Sequence, residues 1–174
     1  PDGNDVFDAY IGNVLTYDAT GTNGQTLYAR VQAVNGVGLS GAWSASSDGI
    51  TITLPTVTGL VSGGHGTVVP PSQVVTVGNT AQITLIADPG YHGIIQSNGC
   101  GGSRVQSVFT SAPVYADCTV TFIFEMNALT LLTAGTGGGT ITSSPTPLPL
   151  YCGANCSVYT TATVVSLTAI PDAY

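Results

Sequence analysis

The chain has no lysine, two arginines and nine acidic residues in 174, so only 6% of it is charged and its net charge is −7. Soluble domains average about 25% charged residues. The missing lysine excludes a phosphate-loop lysine, a Schiff base and a Lys–Asn isopeptide crosslink. Two cations against nine acids exclude nucleic-acid binding through a basic patch. No run of about 18 apolar residues exists, so no membrane span is expected. No Cys-x-x-Cys occurs, which removes the commonest zinc and redox spacings, and no Cys-x-x-Cys-His marks a haem site. The low charge is not the signature of disorder, which combines low hydrophobicity with high net charge. This chain is 43% hydrophobic, with a mean hydropathy of +0.35.

What is present points to an all-β fold without significant helix. Short β-branched and aromatic runs alternate with clusters of Gly, Asn, Asp, Ser and Pro, and no stretch holds a 3.6-residue apolar period. Strands are predicted at 14–19, 26–34, 49–54, 66–69, 74–77, 81–87, 93–97, 105–110, 118–125, 129–133, 139–143 and 164–169. Turn dipeptides separate them, among them Asn23-Gly24, Asn35-Gly36, Asp48-Gly49, Pro89-Gly90 and Asn98-Gly99. Regular short strands of this kind predict tandem small β modules or sandwiches rather than a βαβ enzyme fold.

The sequence also repeats. Gly64–Val68 (Gly-His-Gly-Thr-Val) returns as Gly137–Ile141 (Gly-Gly-Gly-Thr-Ile), and Ile83–Tyr91 returns as Ser166–Tyr174. The offset grows from 73 to 83 between these anchors, which places an insertion around Pro145–Cys156. A pattern shared over that distance predicts tandem modules. The first copy continues through Gly99-Cys100-Gly101-Gly102 to Phe124, so the second is expected to be partial.

Residues 14–52 resemble the second half of a bacterial fibronectin type III domain. The run Asn23–Ser40 carries the likeness to that family's sixth strand and following turn, and Trp43-Ser44 with Ser47-Asp48-Gly49-Ile50 to its last strand. Alternation then sets Leu27, Ala29, Val31 and Ala33 inward and Tyr28, Arg30 and Gln32 outward. The family's corner tyrosine falls at Leu27, so its hydrogen bond is expected to be absent. The family's first three strands have no counterpart, so Leu27, Ala29, Val31 and Ile50 are expected to lie open to water.

Residues 55–126 resemble the divergent internalin B-repeat family, a Gly-rich module strung in tandem in bacterial surface proteins. The matching features are Gly66-Thr67-Val68, Asp88-Pro89-Gly90-Tyr91, Asn98-Gly99-Cys100-Gly101-Gly102, Ala116-Asp117-Cys118-Thr119-Val120 and Phe122-x-Phe124. Residues 129–174 resemble the start of a second copy. The expected organisation is a partial fibronectin-like module at 1–54, a complete Gly-rich repeat at 55–127 and a partial one at 128–174. The resemblance implies a non-enzymatic, extracellular structural or adhesive module string of a bacterial surface or secreted protein, with a fibre-forming segment as one form. Its partners would be neighbouring copies of itself or adjacent domains of a longer chain, and surface glycans. No cofactor is implied. No secretion signal is visible at Pro1, so the chain is expected to be mature or an excerpt.

Four cysteines fall in two close pairs, and their proximity, even number and the family pattern predict disulfides Cys100–Cys118 and Cys152–Cys156 in an oxidising compartment. No lysine or histidine adjoins either pair to depress a thiol pKa, which argues against a redox-active role. Asp2, Asn4, Asp5 and Asp8 form a small acidic cluster, the calcium candidates of a calcium-stiffened adhesin stalk. Without Asp-x-Asp-x-Asp-Gly order, the cluster also reads as a solvated turn. His65 and His92 have no Ser or Cys partner with a nearby Asp, so no catalytic residue is assigned. Asn155-Cys156-Ser157 fits the glycosylation sequon formally, yet a disulfide-bonded cysteine makes it a poor acceptor. Trp43 is the ligand-binding candidate of the rival reading, a carbohydrate-binding accessory region of a secreted hydrolase. The eight tyrosines can stack on sugars or simply pack on pleated sheet.

Overall fold

Backbone pairing converts this pattern into sixteen short strands and no helix among residues 11, 12, 16 and 18–173, which the structure, a computed structural model, describes. The chain divides into two compact units, Pro1–Leu54 and Pro55–Tyr174.

In the first unit, β1 (Thr26–Leu27) pairs with β4 (Ile50–Thr51), and β2 (Gln32–Val34) pairs with β3 (Ser40–Trp43), both antiparallel. The single strand expected at 26–34 is therefore broken. Serine hydroxyls break it: Ser47 Oγ accepts the Ala29 N–H and Ser44 Oγ the Val31 N–H, each at 2.9 Å. The serine backbones return the bonds, Ser47 N–H to Ala29 O and Ser44 N–H to Val31 O, each at 2.8 Å. Side-chain oxygens thus stand where a regular ladder has carbonyls. The Ser44→Ala variant is expected to speed amide exchange at Val31 about fivefold, the kinetic equivalent of one lost hydrogen bond of ~1 kcal/mol, as read by NMR.

Ala29, Val31 (67% exposed) and Ile50 (71%) lie open to water as expected, and Ala33 with them, whereas Leu27, also expected open, is half-buried. Gln32, expected outward, is half-buried, because its amide donates to Gly41 O at 2.8 Å. No described residue of this unit is buried, so alternation here has no core to face.

The second unit holds a complete sandwich. Its strands are β5 (Thr56–Ser62), β6 (Gly66–Val69), β7 (Ser72–Val74), β8 (Gln82–Ala87), β9 (Tyr91–Asn98), β10 (Ser103–Val105), β11 (Val108–Thr110) and β12 (Cys118–Met126). They form two four-stranded sheets, β10-β11-β8-β6 and β7-β5-β12-β9. The β5–β12 pairing is parallel and the others are antiparallel. Ile83, Leu85 and Phe109 from the first sheet share one core with Val57, Val120, Phe122 and Phe124 from the second. Phe109 meets Phe122 edge-on at 5.7 Å between ring centroids, the arrangement aromatic quadrupoles favour.

Besides β7, which lies at Ser72–Val74 where 74–77 was expected, two features of this sandwich differ from the sequence reading. The central strand β5 carries Gly59 at its middle and was not expected as a strand. A Cβ there would stand 3.0 Å from Ile83 Cδ1 and 3.3 Å from Val68 Cγ2, so the glycine makes room where the sheets approach. The strand expected at 105–110 is instead the β10–β11 hairpin, in which Val105 pairs with Val108 around Gln106-Ser107. Gln106 takes φ +52°, a left-handed turn position without the usual glycine or asparagine signal. The Arg104 guanidinium donates to its carbonyl.

The remaining strands are β13 (Ala128–Thr130), β14 (Gly139–Ser144), β15 (Cys156–Val158) and β16 (Ser166–Pro171). β13 pairs with β15 as β5 does with β7, and β14 with β16 as β6 does with β8. Connecting bonds recur in step. Val75 N–H to Pro55 O matches Tyr159 N–H to Asn127 O, Gly59 N–H to Pro71 O matches Leu131 N–H to Asn155 O, and Asp88 N–H to His65 O matches Asp172 N–H to Gly138 O.

Register corrects the later offset. Val68 faces Leu85 and Ile141 faces Ala169, so Leu85 and Ala169 are equivalent, 84 residues apart rather than 83. The sequence match had aligned Tyr91 with Tyr174, whereas the pairing aligns apolar positions, Ile83 with Leu167. The insertion therefore spans eleven residues between β14 and β15. The described residues hold no counterparts of β11 and β12 for this copy, and Ile141 and Leu167 stay 40% and 47% exposed.

Candidate functional site

The Cys100–Cys118 disulfide ties the segment after β9 to the first residue of β12. On the same end of the sandwich lies a shallow depression of about 550 Å³ lined by Thr56, Thr58, Gly99, Asp117, Cys118 and Thr119. Sheet geometry explains the cluster. Thr58 and Thr119 are direct partners across the parallel β5–β12 pair, so their side chains emerge on one face. Asp117 precedes β12, and its Oδ1 accepts the Thr56 N–H at 2.8 Å, which binds the loop to the start of β5.

A second depression of about 220 Å³ adjoins it, sharing Gly99, Asp117 and Cys118 and adding Pro113 and Tyr115. Tyr115 is 72% exposed. Its ring edge lies against the turn at Gly78, where a Cβ would stand 3.8 Å away. The arrangement offers an open aromatic ring, a carboxylate with one oxygen bonded to backbone, and threonine hydroxyls able to donate and accept.

The sequence-derived candidates fall elsewhere. Trp43 lies in the first unit and is 44% exposed, with the Arg30 guanidinium carbon 4.6 Å from its ring centroid, a cation–π contact that covers one ring face. His65 stacks on Tyr91, with centroids 4.2 Å apart and planes 4° from parallel. His92 Nδ1 lies 2.8 Å from Asn127 Oδ1. Cys152 and Cys156 are joined to each other. The calcium candidates Asp2, Asn4, Asp5 and Asp8 lie outside the described residues, as do Tyr10, Tyr17 and Tyr174. Among the described residues, no group of three or more His, Cys, Asp or Glu can hold a metal ion.

Sequence reading missed Tyr115 and Asp117 as a pair. The available signal was the run Tyr115-Ala116-Asp117-Cys118, which fixes both beside a cysteine. Thr56 and Thr58 come from β5, which was not expected as a strand, and Thr119 from β12, which was.

Fold and bonding define an all-β protein of several small sheets with two disulfides, which fits an oxidising, extracellular or secreted setting. Among the described residues no helix is long and apolar enough to cross a membrane. Comparison with known proteins finds no matching family, no similar curated protein and no similar solved structure.

Proposed function

We propose that the chain is a non-enzymatic structural module string of a bacterial surface or secreted protein, serving as a spacer or adhesive stalk. The resemblance of 14–52 to fibronectin type III domains, and of 55–126 and 129–174 to internalin B-repeats, supports this reading. The observation that carries it is the recurrence of the same backbone pairing in two successive copies, β5 to β8 and β13 to β16, with Asn127 alone between β12 and β13. Repetition of one unit across a one-residue link sets a fixed spacing, which is what a spacer needs.

The experiment is sedimentation velocity and negative-stain microscopy of the oxidised chain over rising concentration, with turnover assays on ester, peptide and glycoside substrates. Growing filaments favour the fibre-forming version, and a monomer at every concentration leaves the spacer. No turnover above buffer is expected, and reproducible turnover overturns the reading.

A second reading, saccharide binding, is favoured by the Tyr115, Asp117, Thr58 and Thr119 depressions. An aromatic ring suits the apolar face of a sugar, and a carboxylate accepts from its hydroxyls. NMR titration with chitotriose and cellotriose tests it. Tyr115→Ala is expected to abolish the shifts, and Asp117→Asn, which keeps an acceptor for the Thr56 N–H, to weaken binding about tenfold for one lost charge-assisted bond. Binding lost in Trp43→Ala but kept in Tyr115→Ala moves the site to Trp43.

A further inference from the structure

The eleven inserted residues between β14 and β15 have no counterpart in the complete copy, and they meet the sheet of their own copy in one isolated bridge, Leu148 with Val158. Their apolar side chains turn toward the complete copy. Leu148 N–H donates to Val158 O at 2.8 Å, which holds the insertion along β15. The Leu150 side chain packs against the core of the complete copy. The receiving point is Gly90, in the turn between β8 and β9, which is buried. A Cβ on Gly90 would stand 2.8 Å from Leu150 Cδ1, 2.9 Å from Val158 Cγ1 and 3.0 Å from Leu148 Cδ1. Three apolar side chains of the second copy thus close on one glycine of the first, whose φ of +87° also suits glycine. Val158 is fully buried there although the rest of its copy is largely open.

Polar contacts flank this apolar seat. Asn127 N–H donates to Gly90 O at 2.8 Å, and Thr161 Oγ1 donates to Tyr91 O at 3.2 Å. Asn127 Nδ2 donates to Thr161 Oγ1 at 3.1 Å, while Asn127 Oδ1 lies 2.8 Å from His92 Nδ1. The connecting residue is therefore bonded to both copies. Cys152, within the insertion, is joined to Cys156, the first residue of β15, two positions before Val158. The disulfide pins the far end of the insertion to the strand that carries the buried valine.

We infer that the insertion is an inter-copy clamp. Leu148, Leu150 and Val158 grip the Gly90 turn, Asn127 locks the link, and Cys152–Cys156 keeps the gripping segment closed. The two copies then move as one body, although one residue joins them. The inference rests on the tandem pairing alone and stands whether the spacer or the saccharide reading holds.

The test uses the full oxidised chain and two variants that attack the joint from opposite sides, Leu148→Ser/Leu150→Ser in the insertion and Gly90→Ala in the complete copy. Amide exchange and 15N relaxation are read by NMR. In both variants the Asn127 N–H is expected to exchange at least tenfold faster, and the tumbling times of the two copies to separate. Protection of Val120 and Phe122 in β12, and of the Leu131 N–H within the second copy, is expected to stay within twofold. Three results overturn the clamp. One is an unchanged joint with common tumbling. Another is loss of protection in β12 in step with Asn127, which makes Leu150 simply part of the first core. The last is loss at Leu131 by the same factor, which makes the insertion an internal brace of the second copy.

Discussion

Replacing Phe122 by alanine is expected to lower the stability of the complete sandwich by about 3–5 kcal/mol, the range for a large aromatic removed from a packed core. Phe122 is fully buried in β12, which lies between β5 and β9, and its ring touches Phe109 of the opposite sheet. Nothing nearby can refill the space cheaply. Ile83, Val57 and Val120 are themselves fully buried, so collapse would expose cavities elsewhere. Urea unfolding followed by far-UV circular dichroism measures the loss, with Tyr115→Ala as a surface control expected within about 0.5 kcal/mol. A loss below 1 kcal/mol for Phe122→Ala would show that the two sheets do not share the core described above.

The contrast between the units shows what patterning conveys. In the complete copy, alternation and core agree: Val120, Phe122 and Phe124 are buried, and Thr119, Thr121 and Ile123 are on the other face. Period-two patterning made β12 legible because one of its faces packs in the core and the other does not. The same pattern at 27–33 marks one face equally well, and Val31 on that face is exposed, as expected, with the ladder carried in part by Ser44 and Ser47 hydroxyls. Sequence periodicity reports which residues could share a face. It does not report whether another layer covers that face.

Legibility failed where conformation depends on a distant contact. Gly59 reads as a strand breaker, but it is required by Ile83 and Val68 across the sandwich. Gln106 lacks the turn chemistry that would have marked the β10–β11 hairpin. β15 is short and lies beside a disulfide-closed insertion, so its likeness to β7 shows only in the hydrogen bonds. The depressions beside Cys118 draw on positions 56, 58, 99–100 and 113–119, and no local spacing joins these. The cysteines were the opposite case, because proximity in sequence already limits their partners.

Those cysteines give a graded expectation. Removing Cys100–Cys118 by the paired alanine variant should cost about 3 kcal/mol, and removing Cys152–Cys156 about 2 kcal/mol, from the loop-length dependence of chain entropy. The separations are 18 and 4 residues, so the first bond removes more freedom from the unfolded chain. The loss should also appear in different places. Cys100–Cys118 fixes the start of β12, on which the parallel pairing to β5 and the antiparallel pairing to β9 both depend. Its removal should therefore lower protection across β5, β9 and β12 together. Removing Cys152–Cys156 should leave those strands protected and act at β15 and the Gly90 seat. Equilibrium unfolding gives the magnitudes, and amide exchange of each paired variant gives the locations. Equal losses spread over both copies would mean that neither bond has a local role and that the second unit unfolds as one cooperative block.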